Sequence, residues 1–405
     1  MPQPSQPTTA ANRIVSLDIL RGFALLGILI MNITSFSMPE AHYLNPMAEG
    51  PLIGADKWAF YFSQLLANQK FMSLFSILFG AGIVLMTHKI EQRGESAANR
   101  HFTRNFWLLM IGLLHAHLIW YGDILVPYAL CSIWVFFFRK KDAKTLFIWA
   151  TVFLSILLVL SLLIGWSISF MPEEDLTELC LTWQPTAEAI QAEKAAYLGT
   201  WSDHFPIRSK AAFELETFIF VFGASWQITG LMLMGMGLFK AGVLTAERTK
   251  AFYKKLLGIG LLIGLTFSII GILQNEANNW SCEYSFLIGS QWTYLGSVPT
   301  ALAYIGGMML LCKSQWLIVL EKWLAPYGQM ALTNYLMQSI LATFLFYGHG
   351  LGRFGSIGRA EQWLYIIGIW VVQLLWSRWW MARFKFGPFE WLWRSLTYQK
   401  WQAIR

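Results

Sequence analysis

Charge is what this chain has least of. Asp, Glu, Lys and Arg make up 13% of its 405 residues, roughly half the share found in soluble proteins. With a mean hydropathy of +0.47, the polar surface is too small to cover a water-exposed globule, which excludes a disordered chain, a coiled coil and a nucleic-acid-binding module. Cysteine is also scarce, at four residues with no CxxC or metal-ligand spacing, so neither a structural zinc nor a haem is expected and no metal cofactor is assigned. No Pro/Gly/Ser linker and no repeat of 20 to 50 residues divides the chain. Period-2 alternation is missing from the apolar segments, which argues against a β-barrel.

What is there is apolar and aromatic: 56% of the residues are hydrophobic, including 21 Trp, 30 Phe and 14 Tyr. Runs long enough to cross a bilayer take about 20 helical residues, and about ten candidates can be read. They are 14–36, 71–87, 106–121, 124–138, 146–170, 213–239, 256–273, 292–312, 327–347 and 363–381. The expected fold is an all-α polytopic membrane helix bundle. Lys and Arg divide 23 to 7 between its two sides, so both termini are expected in the cytoplasm.

Residues 1–12 carry no basic n-region, and the first run lacks an A-x-A exit, so this stretch is read as a disordered tail, not a cleaved signal. The membrane domain is expected over 13–383, with an acidic extracytoplasmic cap over 171–210, and 384–405 reads as a basic cytoplasmic segment. Cys180 and Cys282 both fall on the oxidising side. Nothing in the sequence fixes their distance, and unpaired thiols are the default expectation.

Ionisable groups inside a span are costly and mark functional candidates. Asp18, Arg21 and Asn32 fall within a sector of about 60° on the first helix, a polar stripe suited either to an anion-recognising mouth or to an internal ion pair. Lys70, at the start of the second run, could neutralise a substrate anion or simply snorkel. The third run carries Gly112-Leu113-Leu114-His115-Ala116-His117 and then Gly122-Asp123 at a helix break. His115 and His117 lie about 200° apart and cannot share a face. A turned loop would bring Asp123 to the His115 ring, giving a base and its orienter; His117 reads as a histidine bonded to a backbone carbonyl. Trp226, Gln227 and the Gly/Met run after them suit packing or a wall around an acyl chain. Asn334 and Gln338 share one face and either tie helices together or bind a ligand.

Several ordered segments resemble the YeiB family of bacterial inner-membrane proteins, whose C-terminal half is also known as a domain of unknown function. They are Leu17-Asp18-Ile19-Leu20-Arg21-Gly22, Ala41-His42-Tyr43-Leu44-Asn45-Pro46, Lys70-Phe71 through Gly80-Ala81-Gly82, His115 with Gly122-Asp123-Ile124-Leu125, Trp226-Gln227, Met330-Ala331-Leu332-Thr333-Asn334-Tyr335-Leu336, and Gly387-Pro388 with Glu390-Trp391-Leu392-Trp393-Arg394. The resemblance spans nearly the whole chain and implies a multi-pass protein of the bacterial inner membrane.

Arg13, Ser16, Asp18, Arg21 and Gly22 are also similar to the first-span signature of the heparan α-glucosaminide N-acetyltransferases, and Asn32 matches an active-site asparagine there. That likeness implies a transmembrane acyltransferase that takes an acyl group from cytoplasmic acyl-CoA (acetyl-CoA) and passes it to a small-molecule or glycan acceptor. Arg13, Asp18 and Arg21 would then bind the donor, while Lys70, Trp226, Gln227, Asn334 and Gln338 would contact substrate. His115, Asp123 and Asn32 would be catalytic. His42, ten residues after Asn32, occupies roughly the place of the heparan enzymes' histidine and is the second choice. The alternative is a proton-coupled exporter of a small amphipathic molecule. The expected partners are the lipid bilayer and the acceptor, with no nucleic acid; a homodimer is compatible with the sequence.

Overall fold

The computed structural model describes residues 14–168 and 170–405. The expected tail over 1–12 and Arg13 lie outside the described residues. The described chain is helical, without a strand. In order the helices are α1 (Val15–Ser37), α2 (Ala41–Leu44), α3 (Gly54–Leu66), α4 (Lys70–Glu91), α5 (Ala97–Leu118), α6 (Leu125–Val135), α7 (Ala143–Ile168), α8 (Glu173–Trp183) and α9 (Ala187–Leu198). There follow α10 (Trp201–Glu214), α11 (Ser225–Lys240), α12 (Lys250–Ala277), α13 (Cys282–Tyr284), α14 (Ser290–Cys312), α15 (Leu317–Gln329), α16 (Ala331–Phe346), α17 (Arg359–Met381) and α18 (Pro388–Tyr398). A π-helical stretch, Leu215–Ala224, joins α10 to α11, so the two continue as one rod.

Local chemistry sets the starts of these helices. The Ser96, Thr186 and Thr249 side chains accept backbone N–H bonds at the first turns of α5, α9 and α12, and Thr200 with Asp203 forms a capping box on α10. Six helical segments are long and apolar enough to cross a membrane: Val15–Ser37, Gly54–Glu91, Ala143–Ile168, Trp201–Lys240, Lys250–Ala277 and Cys282–Cys312. Leu125–Phe138 and Ala331–Phe346 are shorter and also apolar. On α7 and α12 the large side chains Leu163, Trp166, Leu262 and Leu273 point outward and stay exposed, as lipid-facing positions do.

Among the described residues the expected apolar runs fall largely on helix. The run 327–347 is divided at Met330, where α15 ends and α16 begins. The cause lies in α18: the Glu390 carboxylate accepts the backbone N–H groups of Leu332 (2.6 Å) and Thr333 (3.0 Å) and caps α16 from outside. The amphipathic helix α3 was not anticipated from hydropathy.

Helix α1 is the hub, packing against α4, α14, α15, α16 and α17. Helix α11 lies between α4 and α7, and α12 pairs with α14. Gly80 and Gly235 let α4 and α11 touch backbone to backbone: a Cβ on Gly80 would collide with Met232, and one on Gly235 with Ile77. The Gly/Met run of α11 thus packs closely against α4, with Met232 and Met236 fully buried. Cys180 and Cys282 form a disulfide, against the default expectation. Their segments meet in a small apolar cluster with Phe60, Trp183 and Trp280, where the Trp183 indole N–H donates to the Trp280 carbonyl at 2.8 Å.

Candidate functional site

His115 lies in the last turn of α5, and the chain then leaves helix and turns back before α6. The turn places Asp123 against the ring: Asp123 Oδ1 is 2.7 Å from His115 Nδ1, while Oδ2 accepts the Val126 N–H at 2.7 Å and so caps α6. The same carboxylate fixes both a helix start and an imidazole. On the other side of the ring, Nε2 is 2.8 Å from the hydroxyl of Ser339 on α16. In the tautomer whose Nδ1–H donates to Asp123, Nε2 is an acceptor and the Ser339 O–H donates to it. Serine, histidine and carboxylate thus stand in the order and on the ring nitrogens of a nucleophile, base and orienter relay.

The site is dry. His115 is 1% exposed and the Asp123 side chain 2%, and Ser339 is 1% exposed. Tyr335, one turn before Ser339 on α16, packs its ring 5.2 Å from His115, and its hydroxyl accepts the Ile124 N–H at 3.1 Å. Trp120 packs edge-on to His115 at 6.2 Å. Its indole N–H is buried without a hydrogen-bond partner.

The remaining predicted residues lie elsewhere. Arg21 pairs with Asp18 at 3.0 Å, one turn apart on α1. Asn32 is half-buried and makes no side-chain hydrogen bond among the described residues, so nothing joins it to His115. His42 Nε2 meets Glu49 at 3.1 Å, and Arg359 donates to the His42 carbonyl at 2.6 Å. Burial, followed by the charge of Arg359, lowers the His42 imidazole to about 4. Tyr43 and Arg359 border a narrow cleft with Met31, Thr34, Gln64 and Gln362, whose volume of about 10 Å³ holds about one water.

Lys70 is fully buried and donates to the Gln64 carbonyl at 2.6 Å, so it does not snorkel. Gln227 donates to Gln69 at 3.3 Å, and Trp226 bonds back to Val221 on its own helix. Asn334 donates to the Tyr327 carbonyl and to Ser377. Gln338 donates to the Leu25 carbonyl and the Tyr327 hydroxyl. Both amides are helix ties and neither reaches the His115 ring. His117 bonds Ser209 at 2.9 Å and Glu216 at 3.2 Å on the opposite face, where a backbone carbonyl was expected.

Three relatives match this chain along nearly its whole length. The protein named "Uncharacterized protein YxaH" of Bacillus subtilis (strain 168) is 33% identical, with 98% of each chain covered. "Uncharacterized protein YeiB" of Escherichia coli (strain K12) is 32% identical over 95% of this chain and 96% of its own. The chain belongs to the YeiB family. A third relative, from Bacillus acidopullulyticus, is 27% identical over 97% of this chain and 96% of its own. Residues 238–400 match the family described as "Protein of unknown function (DUF418)".

Within this YeiB-family protein, Ser339 is the residue that sequence reasoning missed. It stands just beyond the family-like stretch Met330–Leu336 and comes from a helix 224 positions away from His115. The available signal was its i,i+4 spacing from Tyr335, which puts both on one face of α16.

Proposed function

We propose that this protein is a membrane acyltransferase that moves an acetyl or related acyl group from cytoplasmic acyl-CoA to an acceptor hydroxyl or amine. The observation that carries the reading is the Ser339–His115–Asp123 relay, with separations of 2.8 and 2.7 Å. Ser339 Oγ passes its proton to His115 Nε2 and attacks the thioester carbonyl carbon. As the C–S bond breaks, His115 returns that proton to the departing CoA sulfur, leaving an acyl-serine. The acceptor then gives its proton to His115 Nε2 and attacks the same carbonyl, and Ser339 leaves, recovering the proton. Asp123 holds the ring in the required tautomer and stabilises the transient imidazolium. Trp120 Nε1, unpartnered beside the ring, supplies a donor for the developing oxyanion.

The donor's phosphates would bind near the Asp18–Arg21 pair. Arg104 there lies close enough to Arg21 and Arg394 for their charges to act on it, and such a cluster suits phosphate. From Arg21 to Leu29 and Ile33, which share an apolar cluster with Trp120, α1 rises about 12 to 18 Å, a distance suited to a pantetheine arm. Because Ser339 is 1% exposed, the acyl group reaches it only when the surrounding side chains open.

Purified protein in lipid nanodiscs with labelled acetyl-CoA tests the reading. Release of free CoA and label on the protein are expected in the wild type, with both lost in Ser339→Ala and His115→Ala. Absence of acetyl-CoA binding, or release that ignores both substitutions, removes the proposal. Proton-dependent flux without acyl-CoA would instead point to an exporter.

A further inference from the structure

Arg208 on α10 is fully buried, yet no carboxylate pairs with it among the described residues. Its Nε donates to the His117 carbonyl at 3.0 Å and Nη1 to His204 Nδ1 at 2.8 Å, while Nη2 has no partner. The rings of Trp201 and Phe205 lie 4.9 and 5.6 Å from the guanidinium. They offset only part of the cost of burying a cation. Carboxylates at this end are engaged elsewhere: Glu193 accepts the Glu40 amide, Asp203 caps α10 through Thr200, and Glu216 meets His117.

The neighbours of Arg208 repeat the imbalance. Since Nη1 donates to His204 Nδ1, that nitrogen is the acceptor and the neutral ring carries its hydrogen on Nε2, where it too is buried without a partner. Tyr347 packs its ring 5.1 Å from His204 and has a buried hydroxyl without a partner. Gly348 holds it there. Its amide donates to the Tyr197 carbonyl at 2.9 Å, and a Cβ at this position would collide with the Leu198 carbonyl. All three residues are 0% exposed. Three buried hydrogen-bond donors, one of them on a full positive charge, therefore lie on neighbouring residues with no partner among the described residues.

A water could accept from these donors but would leave the charge uncompensated. A carboxylate has two oxygens, whereas a phosphoryl group offers three or more to a guanidinium, an imidazole and a phenol arriving from different elements. We propose that Arg208, His204 and Tyr347 form a binding site for a phosphoryl group. The site lies about 12 Å along α16 from Ser339. Identifying its occupant as the phosphate of the acyl acceptor rests on the acyl-transfer reading; the anion site itself does not.

The test uses the full-length protein stripped of lipid in maltoside micelles, followed by thermal unfolding. Titration with inorganic phosphate is expected to raise the unfolding temperature saturably, while chloride at equal ionic strength is not. Tyr347→Phe should weaken phosphate binding by about tenfold, as expected for losing a hydrogen bond to a charged group, and Arg208→Gln should abolish it. If Arg208→Gln does not fold, Arg208→Lys and Tyr347→Phe decide the matter. Stabilisation by phosphatidylglycerol but not by free phosphate, with the same dependence on Arg208 and Tyr347, assigns the phosphoryl group to a lipid headgroup. No stabilisation by either, or an unchanged response in the variants, overturns the site. These readouts do not involve acyl transfer, so they fail or succeed independently of the reaction proposed at Ser339.

Discussion

Gln338 and Ser339 are neighbours in the chain, about 100° apart on α16, and meet different helices. Ser339 meets the imidazole of His115, whereas Gln338 meets the Leu25 carbonyl on α1 and the Tyr327 hydroxyl on α15. One side of this helix carries the serine of the proposed relay, and another ties the helix to α1 and α15. Tyr335 and Asn334 repeat the division one turn earlier.

Substitutions on the two faces should therefore separate. His115→Ala, Asp123→Asn and Ser339→Ala are expected to lower CoA release from acetyl-CoA by about 10² to 10⁴-fold, measured with a thiol reagent on folded protein. His42→Ala should lower it less than about threefold, because His42 pairs with Glu49 away from the relay. Inactivation by His42→Ala with an unaffected His115→Ala would move the reaction centre to His42.

Gln338→Leu should instead act on stability. It removes two buried hydrogen bonds, and a loss of about 1 to 3 kcal/mol is expected. Thermal unfolding in nanodiscs would detect it, and an unchanged midpoint would mean that the tie contributes nothing.

Glu193, in α9, carries a pH signature. Burial is the main cause that raises its carboxyl to about 7 from an ordinary 4.5. The folded state thus favours the protonated acid. Its stabilisation is complete below about pH 4.5 and lost as pH rises through about 7. Glu193→Gln mimics the protonated form, so the variant should gain on the wild type between about pH 5 and about pH 8, by about 1 to 2 kcal/mol after allowance for solvent. A stability difference identical at both pH values would contradict this.

The disulfide gives a redox prediction. Cys180 and Cys282 are 102 residues apart, so their bond restricts a long loop in the unfolded chain. Reduction, or Cys282→Ser, is expected to cost about 2 to 4 kcal/mol, read as a lower unfolding temperature in the presence of reductant.

The helices were legible because apolar runs in a low-charge chain have few other ways to satisfy their backbone. His115 with Asp123 was legible for a local reason: eight residues and a helix break were enough to bring them together. Ser339 was not, because its i,i+4 spacing from Tyr335 puts both on one face of α16 without saying which helix that face meets. The same limit applies to Asn32. A helical wheel places it beside Asp18 and Arg21 but does not say which neighbour each turn of α1 meets. The disulfide depended on the packing of Trp183 against Trp280, which no cysteine spacing encodes.

The Glu390 cap on α16 makes the far C-terminal helix a lever. Removing the chain from Pro388 onward would free the amides of Leu332 and Thr333 and let the first turn of α16 fray. Ser339 stands only six residues farther along that helix. Shortening this end of the protein would thus loosen the serine's aim without deleting any residue that touches it, and inactivity after such a cut would not identify the removed segment as a place where substrate binds.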